Sequence, residues 1–142
     1  GLIVVDLPRP ENKDFAKKCR SKSIYFIQLL SPTTTKERLK KIIEDSHPMN
    51  YFISMLSTTG GKLKVTPGEI IKNYNKIKKI NPKKRCVIGF GITYKTISKL
   101  KNADGLVVGS AICKEITKSL NNGQNPVTNV SKVVAKLKNK IL

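Results

Sequence analysis

Two short glycine turns are the segments of this sequence whose residue types most clearly suggest chemistry. Gly89-Phe90-Gly91 follows the apolar run Cys86–Ile88, and Gly109-Ser110 follows the apolar run Leu106–Val108. Glycine lets a backbone approach a ligand closely, and a helix that begins nearby aims its free N–H groups and its positive dipole end into the same space. We therefore predict that the N–H groups of these turns bind a phosphate.

Acid–base and metal chemistry are much less apparent. The nine acidic residues are Asp6, Glu11, Asp14, Glu37, Glu44, Asp45, Glu69, Asp104 and Glu115. Only Asp6, which ends the first apolar run, clearly faces the same end of the predicted sheet as the glycine turns. The single histidine, His47, lies in a connection that enters a strand, on the opposite side. Because His, Cys and carboxylate residues do not cluster at ligand spacing, no metal site is predicted.

Apolar runs and amphipathic segments alternate along the chain and must position these turns. The predicted strands cover residues 2–5, 23–30, 51–55, 86–88 and 106–108, and the predicted helices cover about 12–19, 34–45, 66–77, 93–101, 110–120 and 130–141. Strands that are continuously apolar are typical of a parallel sheet buried on both faces by helices. The sequence therefore predicts an α/β fold of about five βα units.

Three helix starts can be placed on individual residues. Thr34 with Glu37, and Thr66 with Glu69, have the spacing of a capping box, and a proline follows Thr66 at the first helical position. Thr93 is predicted to cap a short helix after the first glycine turn. Each of these helices follows a predicted strand, as a βα unit requires.

The net charge of +19 raises the possibility of nucleic-acid binding. Of the 28 basic residues only four are arginine. Proteins that recognise nucleic-acid bases and phosphates favour arginine, because its guanidinium group can donate two parallel hydrogen bonds. The lysines recur between apolar residues at helical spacing, which indicates solvated helix faces. A basic nucleic-acid-binding module therefore remains only an alternative.

The three cysteines lack zinc or redox spacing, and we expect Cys86 and Cys113 to be packed thiols in a cytoplasmic protein.

The two glycine turns also suggest a particular barrel. In TIM barrels a phosphate site commonly forms from the loops after strands seven and eight, and a complete barrel takes about 250 residues. If the two glycine turns are those loops, three strands are missing from this chain. We therefore interpret residues 1–142 as the C-terminal part of a single TIM-barrel domain, an incomplete barrel.

Five segments in order resemble the tryptophan synthase α chain family. Gly1–Pro8, with its Asp-Leu-Pro ending, is similar to the family's fourth barrel strand, and Leu30–Leu39 is similar to the end of strand five and the following helix. Tyr51–Ser54 with the loop 57–60 resembles strand six and the mobile loop of the active site. Cys86–Ile92 and Ala103–Ile112 resemble strands seven and eight, and they are the most specific matches.

The resemblance implies a lyase of tryptophan biosynthesis that cleaves indole-3-glycerol phosphate to indole and glyceraldehyde 3-phosphate. It implies that the substrate phosphate is bound at Gly60, Gly91, Gly109 and Ser110, with the Ser110 hydroxyl adding a donor. It also implies pocket or loop roles for Tyr51, Thr59, Phe90 and Asp6. Ser57 stands where the family's loop usually has glycine, and this departure puts the mobility of the loop in question.

Carbon–carbon cleavage needs a positioned acid and a positioned base, and the family's catalytic carboxylates belong to strands two and three. No catalytic residue is therefore assigned in this segment. The resemblance implies no cofactor for this chain, because pyridoxal phosphate belongs to the partner β chain, with which the family forms an α2β2 assembly. A noncatalytic remnant of a phosphate-binding barrel is a further alternative.

Overall fold

Helices and parallel strands alternate through the chain. The computed structural model describes residues 1–54 and 65–142. In chain order the elements are α1 (Asn12–Ser21), β1 (Gln28–Leu30), α2 (Lys36–Asp45), β2 (Met49–Ile53), α3 (Pro67–Ile80), β3 (Arg85–Gly89), a 3-10 helix (Ile97–Leu100), β4 (Gly105–Leu106), α4 (Ser110–Asn121) and α5 (Pro126–Lys138). The predicted α/β order is confirmed.

The strands form one parallel sheet in the order β1-β2-β3-β4. Phe52 of β2 lies in register with Leu30 of β1 and Ile88 of β3, and all three side chains are at most 1% exposed. They belong to a core that the helices complete with residues such as Ile43 and Ile77. This packing places the ends of neighbouring strands at one edge, where the glycine turns follow.

Burial alternates along the strands instead of extending over both faces as predicted. In β2 the side chains of Asn50 and Phe52 are buried, whereas those of Tyr51 and Ile53 are only partly buried. Successive side chains of a strand point to opposite faces, so α2 and α3 pack on the face that carries Phe52. The face that carries Tyr51 is the more open one in the described part of the chain.

The first predicted strand, residues 2–5, is reduced to a single bridge. Leu2 pairs in parallel with Phe26, and its N–H donates to the Tyr25 carbonyl at 2.7 Å while its carbonyl accepts from the Ile27 N–H at 2.9 Å. Val5 is 66% exposed. Because this segment pairs with only one neighbour, and only at Leu2, it does not form a ladder. The prediction of a buried strand over residues 2–5 is therefore wrong.

One of the two predicted capping boxes is present. The Glu69 N–H donates to the Thr66 hydroxyl at 3.3 Å, and the Thr66 N–H donates to the Glu69 carboxylate at 2.8 Å. The box at Thr34 is wrong, since α2 begins at Lys36 and the Thr34 hydroxyl instead accepts from the Ser31 N–H at 3.2 Å. A tight turn at the end of β1 therefore shifts the start of α2.

The helix predicted to begin at Thr93 is also wrong. The Thr93 N–H donates to the Thr96 hydroxyl at 3.0 Å, and the Thr93 carbonyl accepts from the Ile97 N–H at 2.9 Å. Only the four-residue 3-10 helix Ile97–Leu100 follows. The two threonines thus form a turn that separates the first glycine turn from any helix.

A polar network closes the edge of the sheet opposite the glycine turns. The Asp104 carboxylate accepts from the Lys78 ammonium and from the Cys86 N–H, both at 2.8 Å, while the Asp104 N–H donates to the Tyr74 hydroxyl at 3.0 Å. Asp104 therefore lies away from the candidate ligand face, as predicted. Burial raises the pKa of the Cys86 thiol to about 12.

The two cysteines that were predicted to be packed differ in exposure. Cys86 is fully buried, as predicted, but Cys113 is exposed, because α4 turns it outward. Among residues 1–54 and 65–142, no helix is long and apolar enough to span a membrane.

Candidate functional site

The predicted site lies where β2 and β3 end, and hydrogen bonds continue the sheet slightly beyond β2 and β4. The Ser54 N–H donates to the Gly89 carbonyl at 3.1 Å, and the Val107 N–H donates to the Ile88 carbonyl at 2.8 Å. The three strands β2, β3 and β4 therefore deliver their following loops to the same edge of the sheet. The two glycine turns come after adjacent strands, β3 and β4.

The first turn has an unusual backbone conformation. Phe90 has a φ of 68° and Gly91 a φ of 67°, so two successive residues occupy the left-handed region. That region is open to glycine but costs roughly 1–2 kcal/mol for a residue with a side chain. Phe90 therefore needs compensating contacts to remain there.

Two aromatic rings meet at this turn. The rings of Tyr51 and Phe90 pack edge to face, with centroids 6.1 Å apart and planes at 82°. The Tyr51 hydroxyl occupies the space where a β-carbon on Gly89 would lie, so glycine is required there by the tyrosine ring. Burial raises the pKa of the Tyr51 phenol above its ordinary value. The structure thus brings together two of the predicted pocket residues.

A buried serine fastens the same turn. Ser54 is 0% exposed, and its hydroxyl lies 2.7 Å from the Gly89 carbonyl oxygen and 2.7 Å from the Phe90 carbonyl oxygen. The sequence placed Ser54 at the end of the segment Tyr51–Ser54 but predicted no individual role for it. In the sequence, Ser54 is only a small hydroxyl residue at the end of an apolar strand. That position does not reveal a hydrogen-bond partner 35 residues away.

The second turn leads directly into a helix. Gly109 is the residue before α4, and its carbonyl accepts from the Ile112 and Cys113 N–H groups at 2.9 and 3.1 Å. Helix geometry leaves the first N–H groups, including that of Ser110, without partners inside the helix. No atom lies within 4 Å of a β-carbon built on Gly109, and both residues are exposed. This end of α4 is open to an anion.

The helix dipole therefore acts at only one of the two turns. α4 has 12 residues and begins at Ser110, so its positive end adjoins the second turn as predicted. The corresponding prediction for Gly91 is wrong, because the element after it is the short 3-10 helix that begins six residues later. The Gly91 turn therefore contributes local backbone N–H groups rather than a helix end.

Asp6 lies elsewhere along the same side of the sheet. It is exposed, has a φ of 61°, and lines a cavity of about 550 Å³ together with Arg9, Thr33 and Arg38. Tyr51, Phe90 and the glycine turns are not among the described residues that line this cavity. The structure therefore groups Asp6 with the loop after β1 rather than with the two aromatic rings.

Two predicted site residues, Gly60 and Thr59, lie outside the described residues, as does the atypical Ser57. His47 is exposed beside Tyr25 at the other end of β2. No group of three or more His, Cys, Asp or Glu side chains that could hold a metal ion occurs within 1–54 and 65–142. The described site consists of backbone N–H groups, hydroxyls and aromatic rings.

Comparison with known protein sequences gives one consistent result. A family described as tryptophan synthase alpha chain matches residues 1–142. The tryptophan synthase alpha chain of Pelagibacter ubique is 68% identical over 141 residues, which cover 99% of this chain and 53% of that protein. The one from Methanocaldococcus jannaschii is 40% identical over 129 residues, which cover 87% of this chain and 44% of that protein. The chain spans about half the length of these curated relatives.

Solved structures agree with the sequence matches. The tryptophan synthase alpha chain from Legionella pneumophila superposes with a TM-score of 0.81 at 26% identity, covering 98% of this chain and 50% of that one. A chain of the tryptophan synthase a2b2 complex from Pyrococcus furiosus gives 0.78 at 31% identity, covering 96% and 54%. With the parallel sheet described above, these similarities confirm the predicted fold class, an incomplete TIM barrel.

Proposed function

The chain belongs to the tryptophan synthase alpha chain family, and on that premise we propose that it forms the phosphate-binding part of a lyase. The complete enzyme cleaves indole-3-glycerol phosphate to indole and glyceraldehyde 3-phosphate. Residues 1–142 are the C-terminal part of its single barrel domain. The observation that carries the proposal is the pair of glycine turns after adjacent strands, the second of which opens α4.

Each described site residue has a defined task in this proposal. The N–H groups of Gly91, Gly109 and Ser110 bind the substrate phosphate, and the Ser110 hydroxyl donates a further hydrogen bond. The positive end of α4 favours the same anion. The perpendicular rings of Tyr51 and Phe90 supply an apolar wall against which the indole ring packs.

The proton transfers are assigned to other parts of the enzyme. Indole C3 must gain a proton while the glycerol hydroxyl loses one, and two positioned carboxyl groups suit that pair of steps. In the family these carboxyl groups belong to strands two and three, and no residue of this segment is assigned that role. Gly60 is proposed to complete the phosphate site, and Thr59 is proposed to belong to the closing loop. Asp6 is proposed to contact the active face or to take part in communication with the partner chain.

The partner is proposed to be a tryptophan synthase β chain in an α2β2 assembly. The similar Pyrococcus furiosus structure is described as an a2b2 complex, which supports this proposal. Pyridoxal phosphate would belong to the β chain, and this chain would need no cofactor of its own. A basic nucleic-acid-binding module and a noncatalytic remnant are not favoured, since the family match extends over residues 1–142.

The proposal is tested by titrating the ¹⁵N-labelled chain with indole-3-glycerol phosphate and following its amide resonances. We expect saturable shifts at Gly91, Gly109 and Ser110. Ser110→Ala should weaken binding by roughly tenfold or more, because one hydrogen bond to a charged group is lost. Ser131→Ala, at an exposed serine of α5, is the matched control and should bind like the unaltered chain. Shifts confined to lysine-rich helix faces would refute the proposal.

A further inference from the structure

The buried Ser54 hydroxyl does more than fill the end of β2. It lies at 2.7 Å from two successive carbonyl oxygens, those of Gly89 and Phe90, so its single hydrogen is shared between them. We propose that Ser54 is a positioning residue that sets the direction of the N–H groups in the Phe90–Gly91 turn. Its consequence for ligand binding rests on the proposed phosphate site, whereas its effect on the turn does not.

The planar peptide bond couples the direction of each carbonyl to that of the next N–H group. In a trans peptide the C=O and the next N–H point in opposite directions. A Gly89 carbonyl held toward Ser54 therefore turns the Phe90 N–H away from Ser54, and a Phe90 carbonyl held toward Ser54 does the same for the Gly91 N–H. Two successive N–H groups then face one side, which is the arrangement of an anion-binding nest.

The left-handed backbone of this turn needs such a fastening. Phe90 has a φ of 68°, which is unfavourable for a residue with a side chain, and Gly91 follows with a φ of 67°. Ser54, whose hydroxyl holds both carbonyls, is fully buried, and its loss would leave the Phe90 carbonyl without this hydrogen bond. Ser54 thus opposes the relaxation of Phe90 to an ordinary conformation.

The two carbonyls do not depend equally on the serine side chain. The Gly89 carbonyl also accepts from the Ser54 backbone N–H at 3.1 Å, a bond that any residue except proline can make at position 54. The Phe90 carbonyl is held through the hydroxyl. Removing the hydroxyl should therefore release the peptide between Phe90 and Gly91 and leave the preceding peptide in place.

The experiment measures N–H residual dipolar couplings, which report vector directions, in the ¹⁵N-labelled chain. For Ser54→Ala we expect the Gly91 coupling to move toward an averaged value while those of Phe90 and Ile88 remain. The matched control is Ser46→Ala, which removes a buried hydroxyl at the other end of β2 that donates at 3.0 Å to the Ile43 carbonyl and the Asn50 side chain. It should leave Gly91 unchanged.

A titration with inorganic phosphate links the turn to the proposed site. We expect Ser54→Ala to weaken phosphate binding roughly fivefold to tenfold, and Ser46→Ala to leave it unchanged. If the unaltered chain binds no phosphate at Gly91, the proposed function fails, while the couplings still decide the role of Ser54. An unchanged Gly91 coupling in Ser54→Ala, or an equal change in Ser46→Ala, would overturn the positioning role.

A second variant keeps the test decisive if Ser54→Ala does not fold. Ser54→Cys has nearly the same shape, but a thiol is only a weak hydrogen-bond donor. The same selective change at Gly91 is expected, with a smaller amplitude. A folded Ser54→Cys chain with an unaltered Gly91 coupling would overturn the proposal.

Discussion

The contact between Tyr51 and Gly89 gives the sharpest prediction, a large cost for the smallest possible side chain. In Gly89→Ala the new β-carbon would coincide with the Tyr51 hydroxyl and overlap the adjoining ring carbons. Gly89 has no left-handed φ, so alanine suits its backbone and the cost is steric. The Tyr51 ring must move, which also disrupts its edge-to-face contact with Phe90.

The magnitude follows from two contributions. Forcing a methyl group into packed space costs typically 1–3 kcal/mol, and an edge-to-face aromatic pair contributes about 0.5–1.5 kcal/mol. We therefore expect Gly89→Ala to lower the free energy of unfolding by roughly 2–4 kcal/mol. Urea denaturation followed by circular dichroism measures this change.

A double-mutant cycle separates the contact from general damage. Tyr51→Ala removes the obstructing ring, so the second substitution, Gly89→Ala, should cost about 1 kcal/mol or less in that background. Gly109→Ala is the matched control, because no atom lies within 4 Å of its β-carbon, and we expect a change within about 0.5 kcal/mol. Additive effects of the two substitutions, or a near-neutral Gly89→Ala, would refute the reasoning.

Three further predictions concern the rest of the fold. Thr66→Ala should cost about 1 kcal/mol in urea denaturation, because it removes a capping box, whereas Thr35→Ala should be nearly neutral, since that N-cap makes no side-chain bond. Burial opposes ionisation of the Asp104 carboxyl. Its interactions with Lys78, the Cys86 N–H and the Tyr74 hydroxyl outweigh this effect and hold its pKa below the usual value. The Asp104 carboxylate should therefore add stability at neutral pH that is lost as pH falls below about 4, and Asp104→Asn should flatten this part of the stability profile. Iodoacetamide at pH 8 should label exposed Cys113 much faster than buried Cys86, and equal rates by mass spectrometry would contradict the packing.

The sequence alone determined the features that depend on neighbouring residues. The Thr66-Pro67-Gly68-Glu69 helix start was predicted correctly because its hydrogen bonds span three positions and need no other part of the chain. The alternation of strands and helices was predicted from local apolar patterns for the same reason. The start of α4 at Ser110, directly after Gly109, was also predicted from adjacent residues.

Tertiary structure decided the features that join distant residues or depend on what covers them. Residues 2–5 have the composition of a buried strand, but a ladder forms only where a second strand lies alongside, and here only Leu2 is paired. Thr34 has cap spacing, yet the loop after β1 uses its hydroxyl. Likewise, the hydrogen bond from the Ser54 hydroxyl to the Phe90 carbonyl exists only because parallel pairing brings β2 beside β3. For the same reason, the Tyr51 ring leaves no space for a side chain at Gly89. Local patterns cannot specify these contacts, since their energy arises between segments that meet only after the sheet has formed.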